Sequence, residues 1–137
     1  MLVDCAVAEI DVDTQWSNSA DGGQRISDAG EPALEMEVEK FGRTTGHTVG
    51  TITSVAFGVG VPYEDPAGQT IEVNFAEQVT ITTSDGSPFS SPGDSGSVVL
   101  QRGTGTAVAL VTAGTGTYTM ANPIRRVLYE LGELDFA

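Results

Sequence analysis

Ser91-Pro92-Gly93-Asp94-Ser95-Gly96-Ser97-Val98-Val99-Leu100 sets a serine between two glycines and runs directly into an apolar strand signal. A serine hydroxyl is a weak nucleophile at neutral pH and needs a neighbouring base to take its proton. It also needs donors aimed at the oxygen that turns negative in a tetrahedral intermediate. Gly93 and Gly96 suit the second need: lacking Cβ atoms, they admit unusual torsions and let a carbonyl approach the backbone closely. Ser95 is therefore the candidate nucleophile, and the amides of Gly93 and Ser95 are expected to form an oxyanion hole. The chain has one histidine, His47, set in a glycine- and threonine-rich turn. A serine without an evident base is the problem this sequence poses.

Composition narrows the classes. With 137 residues the chain fits one domain with a modest core. Its 19 Asp plus Glu against 6 Lys plus Arg give a net charge of −13, which repels nucleic acid. No apolar run approaches the ~18 residues of a membrane span, so no membrane partner is expected. The opening Met1-Leu2-Val3-Asp4 lacks the basic-then-apolar pattern of a secretory signal. A single cysteine, Cys5, forbids an intrachain disulfide, and together these favour a cytoplasmic location. One Cys and one His cannot close a zinc site, and the Gly-Thr runs at 103–105 and 114–116 lack the lysine of a phosphate loop. No metal and no cofactor are expected. Glu35, Glu37 and Glu39 alternate with Met36 and Val38, which reads as one solvated strand face.

Short, β-branched or alternating runs bounded by Gly, Pro or Asp predict strands at 3–10, 34–41, 48–57, 71–75, 79–83, 97–101, 107–113 and 117–120. The polar stretch 11–32 and the proline-bearing stretch 59–68 read as loops. Only 123–131 looks helical, with Asn122 as cap, Pro123 in the first turn, and Ile124, Val127, Leu128 and Leu131 on one face. The fold class is all-β: a six-stranded antiparallel barrel with a short C-terminal helix, since closure removes exposed edges.

Gly93-Asp94-Ser95-Gly96-Ser97 resembles the nucleophile motif of the trypsin-like (chymotrypsin-fold) serine peptidases. Phe41-Gly42-Arg43-Thr44-Thr45-Gly46-His47-Thr48-Val49-Gly50 is similar to a strand-turn of bacterial members. Asp4-Cys5-Ala6-Val7-Ala8 resembles the run carrying the family's aspartate. Val108 to Gly114 looks like the strand beside the substrate pocket, and Asn122 to Leu128 like the closing helix. The resemblance implies Ser95 as nucleophile, Asp4 as the carboxylate orienting the base, and Phe89, Thr112, Ala113 and Gly114 at the substrate pocket. It implies a buried Asp94, paired with a cationic group. An apolar residue at Phe89 argues against cleavage after Lys or Arg, because a buried cation would go unpaired.

In the family the catalytic histidine precedes the aspartate, and only Met1, Leu2 and Val3 precede Asp4 here. The resemblance thus implies that 1–10 is the last strand of an N-terminal lobe, 11–33 a connecting loop and 34–137 the C-terminal barrel lobe. The chain would be a shortened form, processing product or natural truncation, inactive or weakly active for want of its histidine. The expected partner is a peptide or protein substrate, or the missing N-terminal lobe. The alternative is a non-catalytic interaction module whose uncovered face binds a partner or self-associates as a homo-oligomer. A third arrangement, Asp4-His47-Ser95 in the chain order of subtilisin, conflicts with a sequence lacking alternating strands and long helices. His47 is read as a surface residue.

Overall fold

The structure is a computed structural model that describes residues 3–19, 25–132 and 134. Its elements are β1 (Asp28–Ala29), β2 (Glu37–Gly42), β3 (Gly46–Glu64), β4 (Thr70–Thr82), β5 (Val98–Gln101), β6 (Thr106–Gly114), β7 (Thr119–Pro123) and α1 (Ile124–Glu130). The sheet order is β1-β6-β5-β2-β3-β4-β7, and β6 also pairs with β7. Strands β2 to β7 therefore form a ring, antiparallel at every step, while β1 adds a short parallel pair outside β6.

Alternation explains both sides of the ring. Val38, Ile52, Val79, Ile81, Val99, Val108 and Val111 point inward and form the main core with Phe89. Leu100 points the opposite way from Val99 and is equally buried, because α1 covers it with Ile124 and Val127. Burying each such side chain is worth about 1.5–3 kcal/mol.

The expected 71–75 and 79–83 strands are one strand, β4, which passes Glu77 at φ 57 without breaking. Nor is 59–68 a loop: β3 continues to Glu64, and the register slips three times between Ile52 and Val59. Beyond these irregularities the outer halves of β3 and β4 pair only with each other, as a two-stranded arm. In such a ribbon each strand has a solvent side, where the N–H that Pro62 lacks is not needed. The turn closing the arm is tied by Asp65, whose carboxylate accepts the amides of Ala67 and Gln69 at 2.9 and 2.8 Å.

Two further expectations fail. Residues 3–10 have no sheet pairing among the described residues. Val3 and Cys5 instead pack against the cluster under α1. Asn122 does not cap the helix. It is fully buried in β7, and its amide donates to the Asp4 carbonyl at 3.0 Å, while Pro123 takes the cap position without a side-chain bond.

Candidate active site

Asp94 organises the loop around Ser95. Its Oδ1 accepts the amides of Thr44 at 2.7 Å and Thr45 at 3.3 Å. Its Oδ2 accepts the Thr45 hydroxyl at 2.7 Å and the Ser91 amide at 3.0 Å. Lys40 Nζ stands 3.6 Å from Oδ2, and neither side chain of this pair is exposed. The ammonium also donates to Thr45 Oγ1 at 2.6 Å and to the Gly46 carbonyl at 3.3 Å. Burial alone would raise the Asp94 pKa, but the Thr45 hydroxyl and the Ser91, Thr44 and Thr45 amides outweigh it and hold the carboxyl below its ordinary range. Burial pulls Lys40 below the usual lysine value, and the Asp94 charge opposes that pull. The result is mechanical: the tip of the β2–β3 hairpin is clamped to the loop before Ser95.

Within that loop, the Asp94 amide donates to the Ser91 carbonyl and the Ser97 amide to the Asp94 carbonyl, each at 3.0 Å. Gly93 at φ 100 and Gly96 at φ 86 supply the torsions these consecutive turns demand. The Gly96 amide then joins the Val111 carbonyl at 2.8 Å. By contrast, the Gly93 and Ser95 amides donate to no protein acceptor among the described residues. The exposed Ser95 hydroxyl donates to the Thr112 carbonyl at 2.9 Å. It opens on a cleft of ≈ 300 Å³ bordered by Pro88, Ser90, Ser91 and the stretch 111–116 of β6 and its following turn. Thr112, Ala113 and Gly114 all line this cleft. A Cβ on Gly114 would stand 3.2 Å from Ser90 Oγ, so its absence keeps the floor open.

Phe89 does not line the cleft. Its ring is 2% exposed and belongs to the main core, at a bend of the chain whose neighbours Pro88 and Ser90 line the cleft instead. Ser90 Oγ lies 2.7 Å from Thr119 Oγ1, giving the cleft a hydroxyl-bearing floor where an apolar one was expected.

Asp4 is exposed. Its Oδ2 accepts the Tyr63 hydroxyl at 3.3 Å, and it borders a small cavity with Thr112, Ala113 and Met120. Asp4 and Ser95 thus meet the same residue, Thr112, from different cavities. Burial and the Asp4 charge push the Tyr63 phenol above its usual value. His47 is joined to neither: its Nε2 lies 2.9 Å from Glu39 Oε2, and its ring stacks on Phe41 at 4.6 Å. The three glutamates are not one solvated face. Glu35 precedes β2 at φ 62, and Glu37 faces Arg102 at 3.6 Å. Glu39 is 9% exposed and also accepts the Gly103 amide at 3.0 Å. Burial would raise the Glu39 pKa, yet the Gly103 amide and His47 bring it below the ordinary value.

No protein-family model matches the chain, and no curated protein does either. Solved structures do. A glutamic acid specific serine protease that uses a histidine triad in substrate binding superimposes with TM-score 0.59 at 22% identity, over 88% of this chain and 58% of its own. The chymotrypsin of Cellulomonas bogoriensis gives 0.59 at 22% identity, over 85% and 57%. Protease A of Thermobifida fusca gives 0.59 at 25% identity, over 84% and 56%. This chain has the chymotrypsin fold of bacterial serine proteases. It spans less than three fifths of the length of each of these structures.

Seen in the chymotrypsin fold, the residue that sequence reasoning left unassigned is Lys40. The signal was present: Lys40 is the chain's one lysine, two positions after Val38, so strand alternation puts both on the inner face. A lone cation on an apolar face requires a buried anion, and the motif aspartate, already expected to be buried, is a candidate for it.

Proposed function

We propose that this domain carries the nucleophile half of a serine endopeptidase active site. The observation that supports it best is the exposed Ser95 hydroxyl beside two uncommitted amides, Gly93 and Ser95, at the mouth of a ≈ 300 Å³ cleft. In this reading Ser95 attacks a peptide carbonyl, the two amides bind the oxyanion, and water hydrolyses the acyl-enzyme. Each amide contributes about 10²–10³ in rate. The base is a histidine from a polypeptide segment outside these residues, lying between Asp4 and Ser95 over Thr112, because the chain's only histidine is engaged by Glu39. Asp4 then exchanges its Tyr63 contact for the imidazole N–H. Among the described residues no ionisable side chain lines the cleft, which favours an uncharged residue on the acyl side.

The test is complementation with a histidine-bearing N-terminal lobe of a bacterial chymotrypsin-fold protease, followed by fluorophosphonate labelling. Labelling should appear with the lobe, map to Ser95 and vanish in Ser95→Ala. A folded, complemented protein whose Ser95 never labels refutes the catalytic reading.

One observation favours a second reading, a non-catalytic interaction module. Val7, Ile10, Val12 and Trp16 are 64, 54, 100 and 64% exposed on the segment that has no sheet partner. Light scattering on the isolated chain tests it: a monodisperse monomer that binds no partner lobe counts against it.

A further inference from the structure

We propose that Arg43 is a substrate-recognition residue that receives an acidic side chain on the leaving-group side of the scissile bond; this rests on the peptidase reading of Ser95. A second cleft, of ≈ 380 Å³, adjoins the first, and Ser95 is the one residue that lines both. Its walls include Phe41, Gly93, Gly96, Ser97 and Leu100, and among the described residues Arg43 is the only ionisable side chain in it. A peptide with its carbonyl at Ser95 and its acyl-side residue in the first cleft lays the following residues across the second.

Arg43 is singular in its surroundings. In a chain of net charge −13, Lys40, Arg102, Arg125 and Arg126 each face a carboxylate within 4 Å, and Arg25 also holds a partner. Among the described residues Arg43 has no ion-pair or hydrogen-bond partner. Its guanidinium abuts the open side of Gly93, so closely that a Cβ at position 93 would collide with Nη2. The clamp between Asp94 and residues Thr44 and Thr45 fixes the hairpin tip beside the nucleophile loop, so the charge is held at the site. A guanidinium fork with five donors and no internal acceptor suits a carboxylate, and apolar walls such as Phe41 strengthen that pair.

Binding by Ser95→Ala reads this without catalysis. Dye-labelled peptides share an uncharged acyl-side residue and carry Glu, Gln or Lys at the first or second position after the scissile bond. Fluorescence anisotropy gives their affinities. At one of those positions Glu should bind about three- to tenfold more tightly than Gln, and Lys more weakly than Gln. The Glu/Gln ratio should fall to about one in Arg43→Gln/Ser95→Ala and recover in part in Arg43→Lys/Ser95→Ala. Dividing this ratio by its value in Arg43→Gln/Ser95→Ala cancels most of the long-range repulsion between the Glu peptide and the acidic protein. Equal binding of Glu and Gln peptides, a ratio that survives in Arg43→Gln, or no peptide binding at all overturns the inference. Fluorophosphonate labelling involves no leaving-side residue, so the two ideas fail separately. Labelling without a Glu preference sinks only the Arg43 role. An Arg43-dependent preference without labelling sinks only the catalysis.

Discussion

Replacing Lys40 by Met tests whether the buried cation holds the nucleophile loop in place. Methionine keeps most of the stem and removes the charge, leaving Asp94 ionised at 1% exposure. Breaking a buried pair by removing one partner costs about 3–5 kcal/mol. Here the lower end applies, because the carboxylate keeps the Thr44, Thr45 and Ser91 amides and the Thr45 hydroxyl. About 3 kcal/mol is a large share of the 5–15 kcal/mol that stabilises a typical domain. With a urea m-value of about 1–3 kcal/mol/M, the midpoint should fall by about 1–3 M. The pH dependence carries its own sign. Asp94 has a folded pKa below its unfolded value, so its stabilisation is complete above the ordinary aspartate value of about 3.9 and is lost as pH falls through the lower folded value. Lys40→Met raises that folded pKa, so the stability gap between the two proteins should narrow as pH drops below about 4. A variant within 0.5 kcal/mol of wild type at neutral pH, or a gap that stays constant to acid pH, refutes the argument.

Ser95→Ala loses only the exposed bond to the Thr112 carbonyl, so stability should change by no more than about 1 kcal/mol while labelling is abolished; thermal melts and mass spectrometry check both. Gly93→Ala places a Cβ against the Arg43 guanidinium at a φ of 100, so it should destabilise by about 1–3 kcal/mol and suppress labelling in the complemented protein. His47→Ala should leave the labelling rate unchanged and cost about 1 kcal/mol or less, since Glu39 keeps the Gly103 amide; a lost labelling rate would make His47 the base after all.

Most of the ring strands and the terminal helix were legible because β-branched alternation and a single helical period are local signals. The motif serine and the strand 107–113 were legible for the same reason: turn glycines and a following apolar run need no knowledge of the rest of the chain. Phe89 was misplaced because the direction of a side chain at a bend between strands depends on how the loop packs on the core, and nothing local sets that. The arm beyond Val59 was hidden by Pro62 and by bulges, whose tolerance depends on having no neighbouring strand.

The chain by itself determined a β-rich fold, a serine on a glycine turn and a strong acidic charge, all properties of short windows or of composition. Only the folded ring decided that the cation paired with Asp94 is Lys40, from a strand 54 positions earlier, that Glu39 is buried as well, and that Asn122 ties residue 4 to the sheet. These depend on strands distant in sequence closing on one another, and burial, which gives an ion pair or a buried amide its energetic weight, does not exist until they do.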